Sequence, residues 1–183
     1  MTVATRSTLS SAARAGGVMC GIAGGTGARV AGALEAMIAP QHHRGPGDGS
    51  TWRGADAAGT PVALGSRRLA IRDLSADGHM PMTSADAAVT LVYNGEIYNT
   101  AALRRELEAE GVSLRSDSDT EIVLEMYRRH GVDCDHRLEG MFAFAVWDAP
   151  RERLFLARDH FGVKPLTGPQ LLSGGHHRDR ARR

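Results

Sequence analysis

Lysine is nearly absent from this 183-residue chain: Lys164 is the only one among 22 Lys and Arg residues. That imbalance points to coding bias more than to function. The formal net charge is +1, which leaves no electrostatic case for a nucleic-acid or acidic-surface partner. Only two cysteines are present, Cys20 and Cys134. That excludes a disulfide framework and suggests reduced thiols in a cytoplasmic protein. No apolar run approaches the ~18–20 residues of a membrane span. The leader MTVATRSTLSSAARAGGV has neither an acidic residue nor the apolar core of a secretory signal. Residues 1–19 are therefore expected to be upstream sequence from an early start codon, or a removable propeptide.

What is there begins at Cys20. The length suits one domain with a serviceable core. CGIAGG reads as a strand of small residues, and ARVAGALEAMIA carries Val30, Ala33, Leu34, Met37 and Ile38 at helical spacing before Pro40. QHHRGPGDGS reads as a loop. VALGSRRLAI and AVTLVYN read as strands. AALRRELEAEG and SDTEIVLEMYRRHG read as helices, the second opened by a capping box of Ser118 and Glu121. MFAFAVWD and ERLFLARD predict a hairpin across Ala149–Arg151. Strands arriving in runs, with helices in a pair, predict an α+β fold with antiparallel sheet. Residues 167–183 have no period and end in arginines, so they read as a disordered basic tail.

Cys20 directly follows a methionine. Were Met19 removed, the cysteine would gain a free α-amine, which titrates at about 7.7–8.0. Such an amine can take the thiol proton and later return it, so one residue supplies nucleophile and base. Gly21 beside it leaves room for a substrate. Alone, the pair is weak, since a buried cysteine is commonly a small hydrophobe; Cys134 in GVDCDHRL has that reading.

The company is more specific. MCGIAGG, HRGPGDG, GSRRLAIRDLS, YNGEIYN, SDSDTE, EGMFAFAVWD and ARDHFGVKPL occur in this order. Together they resemble the glutamine amidotransferase domain of glutamine-hydrolysing asparagine synthetases, within the N-terminal-nucleophile hydrolases, from Met19 to Leu166. The resemblance implies a four-layer αββα sandwich over residues 20–166 that hydrolyses L-glutamine to glutamate and ammonia. It implies Cys20 as the nucleophile forming a γ-glutamyl thioester, with the Asn94 side-chain amide and the Gly95 N–H as oxyanion hole. Losing one such donor typically costs ~10²–10³ in rate. It implies Arg68 as the clamp on the glutamine α-carboxylate, where a planar fork gives bidentate geometry. Asp119 matches the partner of the α-ammonium, although an Asp in a helix's first turn is also favourable without a ligand. Leu69, Ala70, Ile71, Arg72 and Glu96 match pocket-lining positions, largely through backbone. His43 and Arg44 read as structural supports, and Arg67, on the opposite strand face, as a surface residue.

The chain departs from that family in three places. Gly47 intervenes in HRGPGDG, which puts Asp48 one residue out of the usual spacing. Ser66 stands where a histidine is common. After FGVKPL neither further strands nor a synthetase domain follow, and SGGHHR at Ser173 lacks the Asp-Ser of an ATP loop. The domain is thus expected to be truncated. No metal or cofactor is implied for this chain, since ATP and Mg belong to the absent synthetase domain. Three readings follow: an amidotransferase making ammonia for ATP-dependent amidation of aspartate to asparagine; an inactive remnant; or a glutaminase subunit serving a separately encoded synthetase. Implied partners are L-glutamine and a synthetase subunit or a second copy in a homodimer, with no nucleic acid and no membrane.

Overall fold

Alternating side chains along the strands generate two sheets, each with one face against helix and one against the other sheet. A computed structural model of the chain describes residues 9–10, 20–43, 48–68, 79–167 and 177–178, with 9–10, 43, 48, 68 and 177–178 as backbone only. The first sheet has the order β1-β2-β4-β3, from β1 (Leu9–Ser10), β2 (Gly21–Thr26), β3 (Asp48–Ala55) and β4 (Pro61–Arg68). The second has the order β5-β6-β7-β8-β9, from β5 (Met82–Thr83), β6 (Val89–Ile97), β7 (Gly140–Asp148), β8 (Arg153–Arg158) and β9 (His177–Arg178). All described pairings are antiparallel except β8 with β9.

Period two assigns each strand's residues to a layer. Ile22, Val62, Leu64, Val92, Ala145, Trp147 and Leu156 fill the space between the sheets. Ala23 and Ala63, on the opposite faces of β2 and β4, meet Leu34 and Ile38 of α1 (Ala28–Ile38). Leu91, Tyr93, Phe142, Phe144, Val146 and Phe155 face α2 (Thr100–Ala109) and α3 (Asp119–His130), meeting Leu103, Leu107, Ile122 and Met126. The layers are therefore helix, sheet, sheet and helix pair, as the sequence resemblance predicts.

Several local expectations change. The loop expected through Ser50 ends earlier, because Asp48, Gly49 and Ser50 already belong to β3, paired with Arg68, Arg67 and Ser66. Trp52 and the Asp56–Thr60 turn make this a hairpin: the Asp56 carboxylate accepts from Thr60 N–H at 2.7 Å. Arg67 is half-buried, not a plain surface residue, and its guanidinium crosses Gly49 where a side chain would collide. In the expected tail, His177–Arg178 pairs with β8; the other residues of 168–183 lie outside those described, as do Arg44 and most of the leader.

The capping box is also rearranged. Ser118 Oγ accepts from Thr120 N–H at 3.1 Å, as an N-cap does. Glu121 reaches further back, accepting from Arg115 N–H at 3.0 Å and Ser116 N–H at 2.7 Å. Desolvation raises this buried carboxyl, but these donors outweigh it and the net pKa is lowered. The bonds thus stabilise the fold above the unfolded carboxyl's pKa, and the gain fades as pH falls through the lowered one. Replacing Glu121 with Gln should cost about 1–2 kcal/mol in urea denaturation at neutral pH. The difference from wild type should shrink below about pH 4; a pH-independent difference would show that charge plays no part.

Candidate active site

The end of β6 carries three of the expected site residues, Asn94, Gly95 and Glu96. Tyr93, Asn94, Gly95 and Glu96 are consecutive, paired across to Phe144, Ala143, Phe142 and Met141 of β7. Asn94 shares the face of Val92 between the sheets and is 2% exposed. Its Nδ2 has no hydrogen-bond partner among the described residues. A buried amide donor left unmade is costly, by about 1–3 kcal/mol, and so calls for an explanation. At Gly95 the backbone of β7 comes so close that a Cβ would collide with the Met141 carbonyl oxygen and lie 2.8 Å from Phe142 Cα. Only glycine fits there.

Asp119 opens α3, half-buried. Its Oδ2 accepts from the Tyr93 hydroxyl at 2.8 Å and from the Ile97 N–H at 3.3 Å, so the helix start is tied to β6. Cys20 lies immediately before β2, half-buried, and packs against the cluster that holds Tyr93. Burial first, then the charges of Asp119, Cys20 and Glu96, push the Tyr93 phenol far above its usual range. Tyr93 therefore stands among three of the residues singled out from sequence. Sequence reasoning missed it, because a tyrosine in an apolar strand reads as core.

Gly21 has a different task from the one expected. The Gln41 side chain folds across it, donating from Nε2 to the Met37 and Ile22 carbonyls at 3.0 and 3.4 Å, and occupies the place a Cβ would take. Arg68 ends β4 with its backbone opposite Asp48. Its side chain, together with Leu69, Ala70, Ile71 and Arg72, lies outside the described residues. Cys134 is fully buried, and burial drives its thiol well above the ordinary range. It is core, as expected.

Two facing sheets between helices, with a cysteine just before one strand, make a fold that is shared with a solved amidotransferase. The glutamine phosphoribosylpyrophosphate amidotransferase of B. subtilis, solved with ADP and GMP, superposes with a TM-score of 0.58, covering 79% of this chain and 38% of that one, at 21% identity. The sequence matches the family described as glutamine amidotransferase domain over residues 19–174, and the chain belongs to that family. A Mycobacterium bovis protein with the provisional name asparagine synthetase (glutamine-hydrolysing) is 42% identical over 151 residues, 80% of this chain and 23% of its own length. Asparagine synthetase (glutamine-hydrolysing) 3 of Bacillus subtilis is 42% identical over 135 residues, 73% of this chain and 21% of its own. The chain thus spans less than a quarter of these relatives. No described helix is long and apolar enough to cross a membrane.

The close approach at Gly95 yields a direct test. Gly95→Ala should lower thermal stability by several degrees, since both colliding atoms are β7 backbone and cannot swing away. An unchanged melting curve would mean that β6 and β7 separate there at no cost.

Proposed function

We propose that the chain hydrolyses L-glutamine to glutamate and ammonia, with Cys20 as nucleophile once residues 1–19 are gone. The observation that carries this reading is the buried Asn94 Nδ2, an amide donor without a partner among the described residues. Such a group suits an oxygen that becomes negative only during reaction. The α-amine of Cys20 takes the thiol proton as sulfur attacks the γ-carbonyl. The oxyanion is held by Asn94 Nδ2 and Gly95 N–H. Collapse returns the proton to the leaving nitrogen, releases ammonia and leaves a thioester, which water then cleaves to glutamate. The family resemblance supports Arg68 as the partner of the α-carboxylate and Asp119 as that of the α-ammonium, with Leu69–Arg72 and Glu96 as pocket positions.

Within this reading, ammonia serves the ATP-dependent amidation of aspartate by a synthetase partner, as the names of the relatives suggest. Exposed Tyr98, Phe161 (87% exposed) and Val163 offer apolar surface for such a partner. A second reading, a form silenced by its leader, is favoured by β1: Leu9 and Ser10 pair with Gly24 and Ala23 along the free edge of β2. The leader is then a strap on the same strand that Cys20 heads.

Cys20→Ala should abolish glutamate release while Cys134→Ala retains the turnover rate, given folded protein by circular dichroism. Equal losses would remove Cys20 as nucleophile.

Intact protein beginning at Met1 should be inactive, because a peptide bond to Met19 leaves an amide nitrogen with no basic lone pair. Mass spectrometry of the assayed species decides this. Turnover by uncleaved chain, at a rate near that of the form starting at Cys20, would overturn the N-terminal base.

A further inference from the structure

Tyr93 has no part in the mechanism above, yet the site is joined at its side chain. Its ring is buried among the residues facing α2 and α3, and its hydroxyl bonds Asp119 Oδ2 at 2.8 Å. The Ile97 N–H, four residues further along β6, donates to the same oxygen. Both donors come from one strand and act on one atom of a residue in another layer.

That arrangement has work to do. The torsion that turns an Asp carboxylate has broad, shallow wells, so the group rotates unless held. Asp119 also sits in the first turn of α3, where a carboxylate is drawn to the helix's own N–H groups. Two donors from β6 pull it the other way, toward the strand that carries Asn94 and Gly95. The phenol, held protonated by burial and by the negative charges around it, donates to this oxygen, and donation favours the ionised carboxylate.

We propose that Tyr93 is a positioning residue for substrate: its hydroxyl, with the Ile97 N–H, holds the Asp119 carboxylate in the orientation that receives the glutamine α-ammonium. The proposal rests on the reading of Asp119 given above. Tyr93 touches Asp119, and acts on substrate only through it. Removing the hydroxyl should therefore penalise reagents that carry an α-ammonium and spare those that do not.

Two alkylating probes of Cys20 separate these cases: a chloroketone analogue of L-glutamine, which keeps the α-ammonium, and iodoacetamide, which lacks it. The readout is the ratio of their second-order rates in chain with Cys20 at the N-terminus. The iodoacetamide arm reports whether the thiol and the fold around it are intact. In Tyr93→Phe the ratio should fall about tenfold, as expected for losing one hydrogen bond to a charged group. It should fall at least as far in Asp119→Asn, and the double variant should match Asp119→Asn alone. Fluorotyrosine at position 93, which keeps ring and hydroxyl, should hold the wild-type ratio and covers the case in which the Phe variant folds poorly. A fall in Asp119→Asn with none in Tyr93→Phe overturns the proposal and leaves the reading of Asp119 standing. So do independent, additive losses in the double variant, or a fall with fluorotyrosine equal to that with Phe. An unchanged ratio in Asp119→Asn, or no preference for the chloroketone in wild type, overturns the reading of Asp119 and the Tyr93 proposal with it.

Discussion

The pleat of β6 is the constraint from which the rest of the site follows. Successive residues of a strand point to opposite faces, so no two neighbours can serve the same layer. Tyr93 must face the helix pair, where it bonds Asp119, and Asn94 must face the other sheet. Gly95 then falls where β7 leaves no room for a side chain. A one-residue slip of β6 against β7 would exchange these faces, burying the amide among the residues that meet α2 and α3 and pointing the phenol at the wrong sheet. The nine residue pairs from Val89–Asp148 to Ile97–Gly140 hold the register. The strand is thus a ruler as well as a core element.

A second buried group keeps the ruler's far side in place. Asp159, 2% exposed, accepts at its carboxylate from the N–H groups of Phe142, Phe161, Val163 and Lys164, at 3.2, 3.1, 2.9 and 2.9 Å. A carboxylate taken out of water is tolerated only when so satisfied. Phe142 is the residue opposite Gly95. One side chain therefore folds the Phe161–Lys164 turn and anchors the β7 backbone that crowds Gly95. The last shared motif, ARDHFGVKPL, is in this sense a brace for β7, the neighbour of β6, with its apolar tip at Phe161 turned outward.

How far this was legible in sequence depends on whether a feature is local. Helices α1 and α3 and the β7–β8 hairpin follow from periodicity, caps and turns, which a short window contains. The start of β3 was lost because Gly and Pro in HRGPGDG outweigh any strand signal, and only pairing with β4 reveals it. Spacing predicts the Ser118 backbone as the partner of Glu121. The chain before the helix curls back and offers Arg115 and Ser116 instead. Gly21 looked like room for substrate, and the crossing by Gln41 from 20 positions away is invisible to spacing. For the candidate site, sequence indicated the strand end at Asn94–Glu96 and the helix start at Asp119. It did not indicate the Tyr93 hydroxyl that connects them, because the link runs between layers.

The two cysteines show how one hydrophobic cluster can give the same side chain two different environments. Cys134 lies inside the cluster, where loss of solvent penalises the thiolate and Asp135 adds its charge to the same effect. A thiol in that state neither ionises nor meets a reagent, so it contributes only volume. Cys20 packs on the rim of the same cluster, half-buried, at the head of a strand whose next residue cannot bear a side chain. Nothing in the intrinsic chemistry of the thiols separates them. The difference comes from the chain's path: the Cys134 segment packs beneath α3, while Cys20, immediately before β2, lies at the margin of the cluster that holds Tyr93. Exposure of a thiol in this fold therefore depends on where the layers end: Cys134 is enclosed by the cluster and Cys20 lies at its margin.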